Sequence, residues 1–367
     1  MEAATAAARA APLPRRPDVG GAAQIGEDAQ AGPLASAAMP VRRAALLLCL
    51  LATSVAACGG TGGGDRPNAD ATLLLDFTPN AVHAGVYVAT SRGYDEAEGV
   101  KLTIRKPGAA TDALALLEAG RADLAILDIH DLALARQKGH DLVGVMAIVQ
   151  RPLAAVLAGP DVRTPRDLEG RRAGVTGLPS DEAVLRSVVR GAGGDPTRVR
   201  ETTIGFDAVR ALLAGRVAGA TAFWNVEGVA LERRRPGFRT FRVDDYGAPS
   251  YPELVLCVTR ETLADRRGVV RAAIRAIQRG YREAQADPES AVQTMAQAVP
   301  GLDTDELAAQ MDAVAPAWTA GAGEFGELRP AALRRWAAWD LRFGILARPL
   351  DIRRAFDTTL VTRQRNP

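Results

Sequence analysis

Polar and aromatic side chains occur in this 367-residue sequence where the pattern predicts the ends of strands and the starts of helices. Asn80 offers both a donor and an acceptor after an apolar strand. Ser180 and Asp181 open a helix, where they either cap it or leave its free N–H groups to hold an anionic or carbonyl group. Glu227 lies one turn into a helix after Trp224. Because α/β clefts bind ligands at the carboxyl ends of strands, these positions are candidates for ligand contact.

Other kinds of site have little support in the composition. The chain has 45 basic and 43 acidic residues, a net charge of +2, which does not indicate a nucleic-acid surface. Three widely spaced histidines and no paired cysteines do not indicate a metal site. A phosphate-binding glycine loop and a dinucleotide fingerprint are absent. We therefore expect no metal, no cofactor and no nucleic-acid partner.

The elements that must position these residues alternate between strands and helices, which predicts an α/β fold. Apolar runs predict strands at 72–77, 100–105, 123–127, 142–149, 172–176, 199–204, 218–223 and 253–259. Helical spacing fills most of the intervals, and after the last strand the chain is helical almost to its end. Continuous apolar strands are typical of parallel sheets with helices on both faces.

Two segments share one pattern and predict two similar lobes. Leu116–Leu127 and Leu212–Phe223 each combine a helix end, a Gly-Arg turn and a buried strand. Residues 71–154 and 253–367 are expected to form lobe one, with the C-terminal helices packed on it, and residues 155–252 to form lobe two. A cleft between two such lobes closes around a ligand by hinge motion.

The N-terminal region predicts export and a lipid anchor. Residues 1–38 are interpreted as a leader that is disordered or not native, since Met39 already begins a signal peptide that runs to residue 57. The sequence Val55-Ala56-Ala57-Cys58 resembles a bacterial lipobox, in which Cys58 carries the lipid; the alternative is an ordinary signal peptide with an incidental cysteine. Residues 58–70 form a glycine-rich tether. Cys257 is then alone in the folded part, so no disulfide is expected there.

Several spaced motifs resemble one known family over roughly residues 73–281. They are Leu75–Asn80 (LDFTPN) with His83, Pro179–Glu182 (PSDE), Phe223–Gly228 (FWNVEG), and Val243–Gly247 (VDDYG) with Tyr251. These motifs are similar to those of bacterial solute-binding proteins related to fungal thiamine-pyrimidine synthases.

The resemblance implies a type II periplasmic-binding-protein fold and the binding component of an ABC importer. The best-understood members bind thiamine-precursor aminopyrimidines such as formylaminopyrimidine or hydroxymethylpyrimidine, and relatives bind riboflavin, sulfonates or nitrate. We therefore expect a monomeric, lipid-anchored protein at the outer face of the cytoplasmic membrane, with an ABC permease and its ATPase as partners. A lipoprotein that senses the ligand for a signalling receptor is an alternative.

The resemblance also suggests how an aminopyrimidine would be held. A carboxylate at Glu227 can accept two parallel hydrogen bonds from a protonated aminopyrimidine, and an aromatic ring of Trp224, Tyr246 or Tyr251 can stack on the ligand ring. Glu227 could instead favour its helix N-terminus, and Trp224 could belong to the core. The expected ligand contacts are Asp76, Asn80, His83, Asp128, His130, Ser180, Asp181, Trp224, Glu227, Asp245, Tyr246 and Tyr251.

His130 raises the alternative of an enzyme. The fungal synthases consume their own histidine and hold pyridoxal phosphate on a lysine four residues before it. His130 resembles that histidine, but the position four residues before it is Ile126, and a Schiff base requires an amine. The synthases also carry a cysteine cluster in the segment corresponding to residues 245–257, where this chain has only Cys257. The sequence therefore favours a binding protein over an enzyme.

Overall fold

A computed structural model describes residues 69–108 and 112–361 of the chain. The predicted leader, signal peptide, lipobox with Cys58 and most of the tether lie outside the described residues. Ten strands occur in the described part. They are β1 (Ala69–Leu74), β2 (Val100–Arg105), β3 (Leu124–Asp128), β4 (Leu142–Ala147), β5 (Ala154–Ala158), β6 (Arg172–Val175), β7 (Arg200–Thr203), β8 (Gly219–Phe223), β9 (Arg239–Arg242) and β10 (Leu254–Thr259).

Helices occupy most of the remaining described chain. The α-helices are α1 (Ala84–Ser91), α2 (Tyr94–Ala97), α3 (Asp112–Glu118), α4 (Ile129–Gln137), α5 (Pro179–Gly191), α6 (Ala208–Leu213), α7 (Val229–Arg234), α8 (Arg260–Asp265), α9 (Arg267–Ala286), α10 (Pro288–Ala298), α11 (Thr304–Trp318), α12 (Pro330–Phe343) and α13 (Ile352–Ala355). Short 3-10 turns lie at Ala81–His83, Pro165–Leu168, Pro196–Arg198 and Val243–Tyr246, and a π-helical turn lies at Trp224–Gly228. None of the described helices is both long and apolar enough to span a membrane.

The strands form two five-stranded sheets, one in each lobe, with the same topology. Their orders are β2-β1-β3-β10-β4 in lobe one and β7-β6-β8-β5-β9 in lobe two. The repeated sequence pattern corresponds to α3–β3 and α6–β8, so β3 and β8 occupy equivalent central positions.

The prediction of purely parallel sheets was wrong, because each sheet contains one reversed strand. β10 is antiparallel to β3 and β4, and β5 is antiparallel to β8 and β9. Both reversed strands arrive directly from the other lobe without a crossover helix, so they enter their sheet from the opposite end. Each lobe is therefore α/β with a mixed sheet.

Local sequence missed two strands and shifted a third. β5 has the sequence AAVLA, and alanine has a low strand propensity. β9 has the sequence RTFR, in which only Phe241 is buried. β1 begins at Ala69, within the predicted tether, because pairing with β2 starts at the partners Ala69 and Val100.

The C-terminal helices cover lobe one, and two of them also contact lobe two. α10 packs on α1, while α11 contacts both the Ala81–His83 turn of lobe one and α7 of lobe two. α12 contacts α5 of lobe two. The helical end of the chain therefore spans both lobes along one side of the molecule.

Two chain crossings join the lobes, one before β5 and one before β10. Glu253 lies on the second crossing, where its Oε2 accepts hydrogen bonds from the N–H groups of Leu153 at 2.7 Å and Ala154 at 3.0 Å on the first. A single buried carboxyl group thus ties the two crossings together.

Candidate ligand-binding cleft

The two sheets face each other across a cavity of about 120 Å³ at the carboxyl ends of their parallel strands. A water needs about 10–15 Å³ by this measure, so the space admits a ligand of on the order of ten non-hydrogen atoms. Lobe one contributes Asp76, Phe77, Ala113, Leu127, Asp128 and Asp131, and lobe two contributes Thr176, Ser180, Asp181, Phe206, Thr221 and Glu227. A more open groove of about 930 Å³ beside α8 and α13 contains none of the candidate residues.

Carboxyl groups dominate the polar lining of this cavity. The five are Asp76, Asp128, Asp131, Asp181 and Glu227, and no lysine, arginine or histidine is among the described residues that line it. Sequence analysis selected all of them except Asp131. A cavity with this lining attracts cations and N–H donors and repels anions.

Glu227 reaches the cavity from the π-helical turn that follows β8. Its Oε2 accepts a hydrogen bond from the Phe223 N–H at 3.1 Å, within its own segment. Burial raises the pKa of Glu227 above its ordinary value. This carboxyl group is therefore suited to share one proton with a basic ring nitrogen of a ligand.

Asp181 and Ser180 lie in the first turn of α5. The helix begins after Leu178, whose side chain makes no capping hydrogen bond, so the capping alternative does not describe this helix start. Asp181 instead accepts hydrogen bonds from the Thr176 hydroxyl and from the Thr176 N–H, the latter at 3.1 Å. Burial raises the pKa of Asp181.

Asp128 and Asp131 approach the cavity from the start of α4. Asp128 caps this helix, since its Oδ1 accepts a hydrogen bond from the His130 N–H at 2.7 Å. Asp131 makes no hydrogen bond or ion pair with any residue in the described part of the chain. Burial raises the pKa of both groups. Asp131 is therefore the cavity carboxyl group whose acceptor capacity is unused.

Two phenylalanines, which the sequence analysis did not select, form the aromatic part of the cavity. Phe77 follows β1 and Phe206 follows β7, and their ring centroids lie 5.7 Å apart at a tilt of 39°. Phe206 exposes 56% of its surface, which is unusual for so apolar a side chain. The signal that could have found them is an aromatic residue just after the carboxyl end of a strand.

Asn80 and His83 lie beside the cavity and orient Asp76. The Asn80 Oδ1 accepts a hydrogen bond from the Val82 N–H at 3.0 Å and so caps the Ala81–His83 turn. His83 holds the Asp76 Oδ1 at 2.8 Å with its Nε2. Neither Asn80 nor His83 is among the residues that line the cavity.

His130 and Tyr251 are buried behind the cavity, in a polar cluster with three carboxyl groups. The His130 Nδ1 lies 2.8 Å from Asp340 Oδ2, and its Nε2 lies 3.3 Å from the Tyr251 hydroxyl and 3.8 Å from Glu253 Oε1. Burial opposes the charged imidazolium, but the charges of Asp340 and Asp128 outweigh it and raise the pKa of His130 to about 10.

Metal-ligand geometry also exists in this cluster. Asp128, His130 and Glu253 bring potential ligand atoms within 4.8 Å of one another. Hydrogen bonds already engage these side chains: Asp128 accepts from the His130 N–H, and Glu253 accepts from Leu153 and Ala154. We therefore interpret the group as part of the hydrogen-bonded support of the cleft.

Trp224, Asp245 and Tyr246 lie away from the cavity. The Trp224 Nε1 donates to the Pro152 carbonyl at 2.9 Å, and the Arg242 guanidinium lies 4.0 Å from its ring centroid. The Asp245 side chain is 61% exposed. Tyr246 packs edge-on against Phe241 in lobe two. The structure therefore places none of the three aromatic residues chosen from the sequence, Trp224, Tyr246 and Tyr251, against the cavity.

Comparison with known proteins identifies close relatives of this architecture. The family model described as NMT1/THI5 like matches residues 80–291. The formylaminopyrimidine-binding protein of Halalkalibacterium halodurans is 34% identical over 68% of this chain and 76% of that protein. A 4-amino-5-hydroxymethyl-2-methylpyrimidine phosphate synthase of Legionella pneumophila is 25% identical over 64% of this chain and 75% of that protein.

Solved structures share the fold at low sequence identity. The periplasmic aliphatic sulphonate binding protein SsuA of Escherichia coli matches with a TM-score of 0.64 and 17% identity, over 79% of this chain and 97% of that one. The two α/β lobes described above thus form a periplasmic-binding-protein fold, as the resemblance implied.

Proposed function

Since the chain belongs to the NMT1/THI5-like family, we propose that it is a solute-binding protein for a thiamine-precursor aminopyrimidine of the formylaminopyrimidine or hydroxymethylpyrimidine type. It binds this ligand by closure of its two lobes and presents the closed form to an ABC permease and its ATPase. Cys58 anchors it by lipid to the outer face of the cytoplasmic membrane, where it acts as a monomer in thiamine biosynthesis or salvage. It performs no covalent chemistry.

The observation that carries this proposal is the acidic cavity with Glu227 on one lobe and an aromatic pair across the cleft. A 4-aminopyrimidine presents a basic ring nitrogen next to an amino donor. Glu227 matches that pair, because its carboxyl group can share a proton with the nitrogen while accepting from the amine. Phe77 and Phe206 supply ring faces for stacking.

The cavity opposes the other ligands of related proteins. Sulfonate and nitrate are anions, and they would meet five carboxyl groups with no cationic side chain among the described lining residues. The three fused rings of a flavin exceed a space of about 120 Å³. A single substituted pyrimidine ring suits both the charge and the size of the cavity.

The lining also bears on a pyridoxal-phosphate-dependent synthase, the function of several relatives by name. That chemistry needs a lysine amine to hold the cofactor. Ile126, at the position that the resemblance assigns to this lysine, is a fully buried residue of β3, and no lysine is among the described residues that line the cavity. The residues present do not fit the cofactor, which supports a binding role.

A thermal-shift panel tests the ligand class. The purified protein is heated with hydroxymethylpyrimidine, formylaminopyrimidine, riboflavin, taurine or nitrate. A ligand at 100 times its dissociation constant stabilises the folded state by about 2.7 kcal/mol, so its melting temperature rises visibly. We expect a rise with the pyrimidines alone. A rise with taurine or riboflavin only would reject the proposed ligand.

Substitution of Glu227 tests the proposed contact. Glu227→Ala removes hydrogen bonds with a charge component, each of which contributes about 1.5–3 kcal/mol, so affinity for the pyrimidine should fall about 10- to 100-fold in calorimetry. The control is Glu232→Ala, one turn later on an exposed position of α7, which should bind as wild type does. Equal affinity of the Glu227 variant and wild type would refute this contact.

A further inference from the structure

The cavity holds more acceptor capacity than one aminopyrimidine edge can use. We propose that the ligand carries a second, cationic group, a primary ammonium arm on its ring, and that Asp131 of lobe one receives this arm while Glu227 of lobe two holds the ring edge. This inference rests on the proposed function and names the ligand chemistry that the site takes.

The hydrogen bonds of the five cavity carboxyl groups single out Asp131. Protein groups already engage the other four: His83 holds Asp76, the His130 N–H binds Asp128, Thr176 binds Asp181, and the Phe223 N–H binds Glu227. In the described chain Asp131 makes no hydrogen bond and no ion pair, although it lines the cavity. Its partner must therefore come from the cavity itself.

The position of Asp131 explains why that partner should be cationic. Asp76 and Asp181 are close enough to act on it electrostatically, and both oppose its negative charge. The cations that favour its charge, His130 and Lys138, are not in the lining. When the cleft closes and water leaves, a neutral ligand arm would leave this group of like charges uncompensated. An ammonium group would offset the charge and supply three N–H donors.

The two anchors also lie on different lobes. Asp131 belongs to α4 of lobe one, and Glu227 belongs to the π-helical turn of lobe two. A ligand with a donor group at each end bonds both lobes at once. Its binding energy is therefore available only in the closed form, which is the condition for a ligand to shift the population toward closure.

The test compares three probes that share the 4-amino-2-methylpyrimidine ring and differ at position 5. They carry an aminomethyl, a hydroxymethyl or a formylaminomethyl group, of which only the first is a cation at neutral pH. We expect wild-type protein to bind the aminomethyl probe at least 10-fold more tightly than either neutral probe in calorimetry. Asp131→Asn should abolish this preference while retaining affinity for the hydroxymethyl probe.

Two further variants separate charge from structure. Asp131→Glu keeps the carboxylate and should keep the preference for the aminomethyl probe, even if Asp131→Asn proves unstable. Asp312→Asn, on an exposed position of α11, should leave all three affinities unchanged. Equal binding of the three probes by wild type would overturn this inference and leave the proposed function intact. Binding of none of them would reject the proposed function itself, and this inference with it.

Discussion

Phe206 combines high exposure with a position at the mouth of the cleft. A phenylalanine that exposes 56% of its surface contributes little to the core, yet it meets Phe77 of the other lobe at a ring-centroid distance of 5.7 Å. Two rings held across a cleft by different lobes can enclose a flat ligand between them or cover it from one side. The exposure of Phe206 therefore points to a role in binding.

Phe206→Ala should weaken pyrimidine binding without lowering the melting temperature of the free protein. Aromatic stacking contributes about 0.5–1.5 kcal/mol beyond area burial, so affinity should fall at least about 3-fold. Calorimetry gives the affinity, and a thermal melt without ligand gives the stability. Leu341→Ala, at the other exposed large apolar residue of the described chain, should alter neither quantity. Unchanged affinity of the Phe206 variant would exclude stacking.

Residue chemistry in the sequence located carboxyl groups better than aromatic rings. Asp76, Asp128, Asp181 and Glu227 line the cavity because a charged group just after a strand has few other places to go. An aromatic residue at the same kind of position can turn either way. The Trp224 indole turns toward the Pro152 carbonyl, and this orientation depends on the distant first crossing, which local sequence does not encode.

At the scale of elements, α9 shows how closely two helices of lobe one approach each other. α1 and α9 pack through Gly85 and Gly280, where an added Cβ on Gly280 would lie 2.0 Å from the Gly85 carbonyl oxygen. The Tyr281 hydroxyl donates to the Val82 carbonyl at 2.6 Å beside this contact. The close approach of α1 holds the Asp76–His83 segment that precedes it in place.

Two alanine substitutions in α9 should have opposite effects on the free energy of unfolding. Gly280→Ala forces backbone atoms apart and should destabilise the protein by about 1–3 kcal/mol or more. Gly268→Ala, where nothing lies within 4 Å of the added Cβ, should stabilise it by up to about 1 kcal/mol through helix propensity. Urea denaturation measures both, and similar effects at the two positions would contradict the close approach of α1 and α9.

The predictable elements are those whose signal is local. The repeated pattern of a helix end, a Gly-Arg turn and a buried strand correctly marked α3–β3 and α6–β8 as equivalent parts of the two sheets. The reversed strands could not be assigned in the same way. β10 has the apolar sequence LVLCVT of any buried strand, and its direction depends on the path by which the chain returns from lobe two.

At the scale of the whole molecule, the cluster around His130 joins parts of the chain that are far apart in sequence. Asp340 comes from α12, Glu253 from the second crossing, and Asp128 from the cavity wall. Burial raises the pKa of Glu253 and of Asp340, so protons are held in this cluster at a pH where exposed carboxyl groups have lost theirs. The protonation state of the cluster is thus coupled to global folding.

Stability should fall as the pH rises from about 6.5 to about 10. The pKa of His130 is about 10 in the folded protein and 6.5 ordinarily, so its contribution is complete below 6.5 and is lost as the pH approaches 10. The raised pKa values of Glu253 and Asp340 act in the same direction. Each proton involved gives a slope of up to about 1.4 kcal/mol per pH unit.

Urea denaturation at pH 7, 8 and 9 measures this slope for wild type and two histidine variants. His130→Gln should make the slope shallower, since the titrating imidazole is gone. His140→Gln, whose side chain is 43% exposed in wild type, should retain the wild-type slope. A slope that is the same in all three proteins would show that His130 does not bind its proton more tightly on folding.

The place of β10 between β3 and β4 imposes an order on assembly during synthesis. Lobe two draws its strands from one uninterrupted stretch of chain, β5 to β9. In the sheet of lobe one, β4 has only β10 as a neighbour, and β10 leaves the ribosome after all of lobe two. Until then, the facing edges of β3 and β4 are unpaired and open to wrong partners. A nascent chain is therefore most vulnerable to misassembly while lobe two is being made.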